Sequence, residues 1–248
     1  MNAQINNLKK WPRLKGKQFL MLLMIPFTFS CLDVNDDDLN QSPNTPTAYV
    51  SFYNGTNADT DIQIEVDSTV YDRKPFDFGN YIDYWYFFTG DRNFSFIDTE
   101  SGQSVLDTAV NLEVEKVYSF FIAEKEDEFT TLFVEDSLDL PVSGKALIRL
   151  VHLASDGPEV ALYQRDKENA IIESLPYMEI TDFVNVDPGD TDLILKSPGD
   201  DQNELVRLND VNLREGRIYT LVVRGKVQAA SNSAEALRIQ LIRNYPNY

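Results

Sequence analysis

From Ala48 onward, apolar and polar residues alternate in short runs, and turn-forming residues interrupt the pattern every 8 to 12 positions or about that. Period-two alternation marks strands with one face in a core and one in solvent. It predicts strands at Tyr49–Tyr53, Ile62–Val66, Ile82–Phe88, Asn93–Ile97, Val117–Ala123 and Thr130–Val134. A second set is predicted at Leu147–Val151, Val160–Tyr163, Asp182–Val186, Asp192–Lys196, Ile218–Val223 and Arg238–Ile242. The breakers between them are turn chemistry. Asn54-Gly55, Thr89-Gly90-Asp91 and Ser101-Gly102 serve the first set, Asp187-Pro188-Gly189-Asp190 and Ser197-Pro198-Gly199-Asp200 the second. Proline presets φ at one turn position and glycine accepts a positive φ at the next. No long window carries a helical period. The expected fold is all-β, built from immunoglobulin-like antiparallel β-sandwiches.

The two strand sets are versions of one pattern. Ala48 to Asn54 lies over Ala146 to His152, and Asp61–Ile64 over Glu159–Leu162. Asp83-Tyr84 falls on Asp182-Phe183, Gly90-Asp91 on Gly189-Asp190, and Leu112 and Tyr118 on Leu213 and Tyr219. The offset is 98 positions at Ala48/Ala146 and 101 at Tyr118/Tyr219, the length of one small β domain. The expected organisation is a sandwich over 48–137, a linker over 138–145 and a second sandwich over 146–244. The linker contains Pro141 and Gly144 but is short, so the two sandwiches are expected to lie in contact or nearly so. Gln228–Glu235 lengthens the last hairpin of the second repeat and is a loop without an evident fold requirement.

The first thirty residues have another character. Lys9, Lys10, Arg13, Lys15 and Lys17 precede the apolar run Phe19–Phe29, which is too short to span a bilayer as a helix. This reads as a signal peptide over 1–30. Cys31, the single cysteine of the chain, follows at once. With no second cysteine for a disulfide, it is expected to be lipidated, anchoring an envelope lipoprotein to the membrane. Residues 31–47 are polar and acidic, a flexible tether. Leu32 directly after the cysteine points to the outer membrane of a bacterial cell envelope, periplasmic or surface side. Removing the signal takes away five positive charges and no negative ones, so the net charge of −18 becomes −18 − 5 = −23. Such a surface repels phosphates, which sets nucleic acid aside as a partner.

The second repeat opens with Ala146 to His152, then Ser155-Asp156-Gly157-Pro158-Glu159-Val160. This run resembles the opening of the DUF4397 domain family, as do Leu175-Pro176-Tyr177, Val186 to Gly189 and Arg217-Ile218-Tyr219. The first repeat resembles it more weakly, carrying Asn54 for the histidine and Thr60 for the proline. The resemblance implies two tandem copies of a secreted or surface-attached Ig-like module, and it implies no catalytic residues.

The chemistry-bearing residues are few. His152 is the one histidine, so any nucleophile–base–acid arrangement has to use it. Ser155 and Asp156 lie in the turn directly after it, which suits a turn pinned by the imidazole, as Asn54 could pin the other copy. Asp187, Asp190 and Asp192 crowd one turn and are weak candidates for structural calcium. No catalytic residue and no cofactor are expected. The stronger lead is Tyr81–Phe88. Alternation puts Tyr84, Tyr86 and Phe88 on one face, with Trp85 and Phe87 on the other. Trp85 and Phe87 fall on Val184 and Val186, a core pair, whereas Tyr84, Tyr86 and Phe88 fall on Phe183, Asn185 and Asp187. The tyrosine face is therefore expected to point outward, either buried at the domain contact or exposed as a binding face. The expected role is a non-catalytic binding or structural module for a glycan or a partner protein. The alternatives are an envelope hydrolase using a carboxylate pair and a pure spacer.

Overall fold

The computed structural model describes residues 46–56, 61–71, 74–126, 128–200 and 203–244. The signal segment, Cys31 and all of the tether except its last two residues lie outside them. Among the described residues there are sixteen strands and no helix. The first eight are β1 (Thr47–Gly55), β2 (Ile62–Val66), β3 (Thr69–Val70), β4 (Tyr81–Phe88), β5 (Gly90–Asp98), β6 (Ser104–Leu112), β7 (Val117–Lys125) and β8 (Glu128–Glu135). The second eight are β9 (Ala146–His152), β10 (Val160–Gln164), β11 (Ile172–Leu175), β12 (Val184–Val186), β13 (Gly189–Lys196), β14 (Glu204–Leu213), β15 (Ile218–Arg224) and β16 (Arg238–Arg243).

Strand order repeats between the two sets. Sheets β4-β1-β7-β8 and β3-β2-β5-β6 have their counterparts in β12-β9-β15-β16 and β11-β10-β13-β14. Every ladder is antiparallel except β1/β7 and β9/β15. The glycine turns before β5 and β13 are corners rather than hairpins, because the strands on either side of each belong to different sheets.

One architecture is filled in two ways. The first core is aromatic: Phe52, Phe94, Phe96 and Phe120 are fully buried, with Phe52 and Phe120 stacked at 5.6 Å. The second is aliphatic, with Leu150, Leu193, Leu195 and Leu221 at the equivalent positions. In both copies a tyrosine early in the seventh strand ties down the chain before it. Tyr118 Oη accepts from the Glu113 N–H (3.2 Å) and Tyr219 Oη from the Arg214 N–H (3.0 Å).

Strands β6 and β14 escape the period-two pattern for a shared reason. Ladder pairing skips Val105 opposite Phe96/Ile97 in β6 and Leu205 opposite Leu195/Lys196 in β14, and β14 is irregular a second time opposite Thr191/Leu193. A bulge puts two neighbouring apolar residues out of alternation and hides the strand from a periodicity reading. Short β3 and β11 are hidden by their length.

The described residues form one compact unit. The central strands β1, β7, β9 and β15 are buried on both faces, apart from Tyr49 near the start of β1, and β9 is buried at every position. Their inner faces fill the two cores. Their outer faces meet: Tyr53, Phe121 and Ala123 of the first sandwich pack with Val151, Leu153, Val222 and Ile242 of the second. The four sheets therefore stack in series, with a third apolar cluster between the middle two.

Beside that cluster lies a buried polar network. Ser51, Ser119 and Asp136 come from the first sandwich, Arg149, Thr220 and Asn244 from the second, and all six are buried. They occupy equivalent positions in the two copies, Ser51 matching Arg149, Ser119 matching Thr220 and Asp136 matching Asn244. Internal bonds match too: Ser51–Ser119 (2.8 Å) parallels Arg149–Thr220 (2.9 Å), and Ser119–Asp136 (2.5 Å) parallels Thr220–Asn244 (2.7 Å). The same patch of each copy thus faces the other, the relation seen in an isologous dimer interface.

Candidate functional site

Strand β4 is the outer edge of its sheet, and the outward side chains of that sheet meet two different environments along their length. Tyr84 sits where the second sandwich covers the sheet. Its hydroxyl donates to Asp136 Oδ2 (2.5 Å) and accepts from Asn244 Nδ2 (2.8 Å). Burial, and then the neighbouring Asp136 carboxylate, push the phenol above its ordinary range. Tyr84 is accordingly part of the contact between sandwiches: of the two placements expected for this outward face, buried at the domain contact or exposed, Tyr84 takes the first.

Tyr86 and Phe88 lie past the rim of that contact. They are 65% and 56% exposed, and Tyr49, directly opposite Tyr86 in the ladder, is 43% exposed. Phe88 stands opposite Thr47. Together the three rings leave an aromatic shelf on the uncovered end of the sheet.

Trp85 departs from expectation. Phe87 is buried in the core as expected, but Trp85, on the same face, is 56% exposed. The reason is that β4 is an edge and β3, the edge strand of the opposing sheet, is only two residues long, so the sandwich does not close there. Trp85 meets Tyr71 edge-on (5.5 Å) at the lip of an open groove of about 450 Å³, whose walls include Val66, Val70 and Arg92. A tryptophan where the other copy carries Val184 was the one sequence signal for this opening.

Charges bordering the shelf are paired. Arg92 donates to Asp67 Oδ2 (2.8 Å) and to the carbonyls of Phe88 (2.9 Å) and Thr89 (3.2 Å), and Lys116 bonds Glu135 (2.5 Å). The Arg92 bond, after one from the Asn93 N–H, helps hold the Asp67 carboxyl below its usual range.

The second copy closes the matching region. Its counterparts of Tyr49, Tyr86 and Phe88 are Leu147, Asn185 and Asp187. Leu147 is buried, Asn185 Oδ1 accepts from the Val142 N–H of the linker (3.2 Å), and Asp187 pairs with Lys145 (2.6 Å). The linker thus lies over the positions that remain aromatic and exposed in the first copy.

His152 is fully buried and holds its turn with both nitrogens. Nδ1 accepts from the Ala154 N–H (3.2 Å), which leaves Nε2 to donate to Pro158 O (2.9 Å). Asn54 does the same work in the first copy: Oδ1 accepts from Thr56 N (2.9 Å) and Nδ2 donates to Phe76 O (2.5 Å). Burial lowers the imidazole pKa from its ordinary 6.5.

The three turn aspartates do not converge. Asp187 pairs with Lys145 and, at 3.7 Å, with Lys167. Asp190 accepts from Asn212 Nδ2 (2.6 Å), and Asp192 is shared by Arg165 (3.2 Å) and Arg207 (3.0 Å). Among the described residues no three His, Cys, Asp or Glu side chains cluster as a metal would require. Residues Gln228–Glu235 form a hydrogen-bonded turn region, with Asp156 accepting from the Val227 and Gln228 N–H groups (2.8 and 3.1 Å) at its start. Cys31 lies outside the described residues.

Comparison with known proteins finds one family model over part of the chain. A family model described as a domain of unknown function, DUF4397, matches residues 48–163. The match takes in the whole first sandwich, the linker and the opening strands of the second, so the resemblance read from the second repeat extends over the more divergent first one. No curated protein matches. Two solved structures are similar at low scores. One is the C-terminal domain of AlgF from P. aeruginosa, at 20% identity, covering 41% of this chain and 99% of that one, with a TM-score of 0.31. The other is CBMbc, a family CBM26 module from Eubacterium rectale Amy13K in complex with maltoheptaose, at 12% identity, covering 81% and 98%, with a TM-score of 0.26. At such scores neither bears on the ligand of this chain.

Proposed function

We propose that this protein is a non-catalytic recognition module of the bacterial cell envelope, made of two tandem DUF4397-type domains and held to the outer membrane through a lipid on Cys31. One sandwich displays the recognition surface and the other braces it. The observation that carries this reading is the exposure of Tyr49, Tyr86 and Phe88 on the end of a sheet whose other end is locked by a buried interface. Exposed large apolar side chains on a rigid mount cost solubility and mark contact sites. The engagement of both His152 nitrogens with backbone supports a non-catalytic role.

The test is retention of the purified protein on solubilised envelope fractions, compared with the Tyr86→Ala, Phe88→Ala double variant. Loss of retention at an unchanged melting temperature is the expected result. Equal retention by both proteins would sink the reading. Anchoring is tested by fatty-acid labelling in cells, which the Cys31→Ala variant should abolish.

A second reading, the spacer, draws on Tyr84. One member of the aromatic run is committed to the domain contact, and a protein that only holds two sandwiches in line needs no more than that.

A further inference from the structure

We infer, resting on the recognition reading above, that the shelf takes an uncharged saccharide chain, laid across Tyr49, Tyr86 and Phe88 and reaching over the β4 edge towards Trp85. Three features of the molecule narrow the ligand to this class.

The first is charge. An anionic polymer needs free cations, and among the described residues two cations bordering the shelf are spent: Arg92 on Asp67 and two carbonyls, Lys116 on Glu135. The chain as a whole carries −18, which opposes an anion further. For a cationic ligand, the carboxylates that these cations pair with, Asp67 and Glu135, are likewise engaged.

Backbone geometry is the second, and it disfavours an added peptide strand. Thr89 donates its N–H inward to Pro46 O (3.2 Å). Antiparallel alternation then turns Phe87 and Trp85 towards β1, where they pair with Ala48 and Val50, and turns Phe88 and Tyr86 to the free edge, up to the bulge at Asp83-Tyr84 that interrupts the ladder. That edge is capped at both ends by side chains of the protein itself. Arg92 Nε takes the Phe88 carbonyl, and Asp83 Oδ1 accepts from the Tyr84 N–H (2.8 Å). Only Tyr86 keeps both outward groups available. One residue is too short a template for strand addition, which relies on a run of main-chain bonds.

The third is shape. Tyr86 and Phe88 are two residues apart on one strand, so their rings follow each other at roughly 7 Å. Tyr49 lies beside Tyr86 on the adjoining strand. A row of rings at this spacing suits the repeating apolar C–H faces of a sugar chain, and the two tyrosine hydroxyls can bond its hydroxyl groups. Trp85 lies on the opposite side of the same edge strand, so only a ligand that crosses the edge touches it together with Tyr86.

The experiment titrates purified full-length protein with neutral xylo-, manno- and cello-oligosaccharides and with oligogalacturonate as the charged counterpart. Calorimetry and tryptophan fluorescence are read at low and high salt. Binding of a neutral oligosaccharide, insensitive to salt, is expected. Tyr86→Ala and Phe88→Ala should each weaken it by about fivefold or more at unchanged melting temperature. Trp85→Phe should remove the fluorescence response, since Trp11, the other tryptophan, belongs to the segment read as a signal peptide. Salt-dependent preference for oligogalacturonate would overturn the inference, as would the absence of binding to every saccharide. In either case the recognition reading still stands if envelope retention is lost in the Tyr86/Phe88 double variant. Should that variant melt markedly lower than wild type, the rings are structural and both readings fail together.

Discussion

Arg149 and Asp136 form an ion pair, Nη1 to Oδ1 at 2.5 Å, that joins the two sandwiches across their buried contact. Each stands where the other copy carries a neutral residue, Ser51 for Arg149 and Asn244 for Asp136. The other two nitrogens of Arg149 are engaged as well: Nε donates to Thr220 Oγ1, Nη2 to Ser119 Oγ (3.2 Å), and its guanidinium carbon lies 4.5 Å from the centre of the Phe183 ring. A patch that is nearly the same in both copies could pair with its own kind. Splitting a charge pair between the copies favours the mixed pairing, since either self-pairing would leave a charge buried without its partner.

The interface therefore makes a sharp mutational prediction. Asp136→Asn, the residue the other copy uses, strands the Arg149 guanidinium and is expected to cost about 3–5 kcal/mol. Replacing both residues, Asp136→Asn with Arg149→Ser, removes the stranded charge and should cost less than the single change. Urea unfolding of the three variants measures this cycle. A double variant as unstable as the sum of the singles would show that the two residues act independently.

Tyr84 and Tyr86 are neighbours on one face yet should behave as unrelated residues. Tyr84→Phe loses bonds to Asp136 and Asn244 and is expected to destabilise by about 1–2 kcal/mol. Tyr86→Phe, at an exposed position, should leave stability within about 0.5 kcal/mol of wild type. Thermal melts of the two variants decide it.

His152 makes stability fall on mild acidification. Its folded pKa lies below the ordinary 6.5 because burial penalises the charged ring. Above 6.5 both folded and unfolded chains hold it neutral, and its contribution is fully present. Below 6.5 the unfolded chain takes up a proton that the folded chain resists, so stability is lost as pH drops, by at most about 1.4 kcal/mol per unit from this group. His152→Asn, borrowed from position 54, should keep the turn and flatten the dependence between neutral pH and about pH 5.5. Denaturant midpoints across that range for wild type and variant provide the check.

The turn before each seventh strand offers an internal control. Glu115 holds φ at +62°, a left-handed conformation that Gly216 adopts at the equivalent place with φ of +74°. Both N–H groups are tied in the same way, to Thr47 O and Lys145 O. Glu115→Gly is expected to stabilise by up to about 1 kcal/mol, the relieved side-chain strain exceeding the added chain entropy. Gly216→Glu should destabilise by a similar amount. Opposite signs in chemical denaturation are the expected result, and equal signs would refute the strain argument.

Much of this molecule was legible before any tertiary contact was known. Alternation and turn residues marked twelve of the sixteen strands, because a strand with one wet face writes its period into the chain. The repeat was legible as well, since Gly90 and Gly189, or Tyr118 and Tyr219, answer to the same local backbone demands in each copy. So was the pairing of Asn54 with His152 as turn pins, which rests on a bond each accepts from the N–H two residues on, Thr56 and Ala154; the second Asn54 bond, to Phe76 O, comes from a distant segment and was not legible. Strands β6 and β14 were not, because a bulge breaks the local pattern that betrays a strand.

What the chain by itself determined was everything enforced by neighbours in sequence: strand propensity, turns, the duplicated frame and the aromatic character of β4. Which of those aromatics face water was decided only by tertiary structure. Alternation sorts Tyr84, Tyr86 and Phe88 onto one side of a strand, but the second sandwich covers that side only as far as Tyr84. Trp85 was sorted to the core side, but a two-residue strand opposite it leaves the core open there. Burial is set by what comes to lie against a surface, often from residues far away in the chain, and the Arg149–Asp136 pair, drawn from two copies of one pattern, exists only once those surfaces have met.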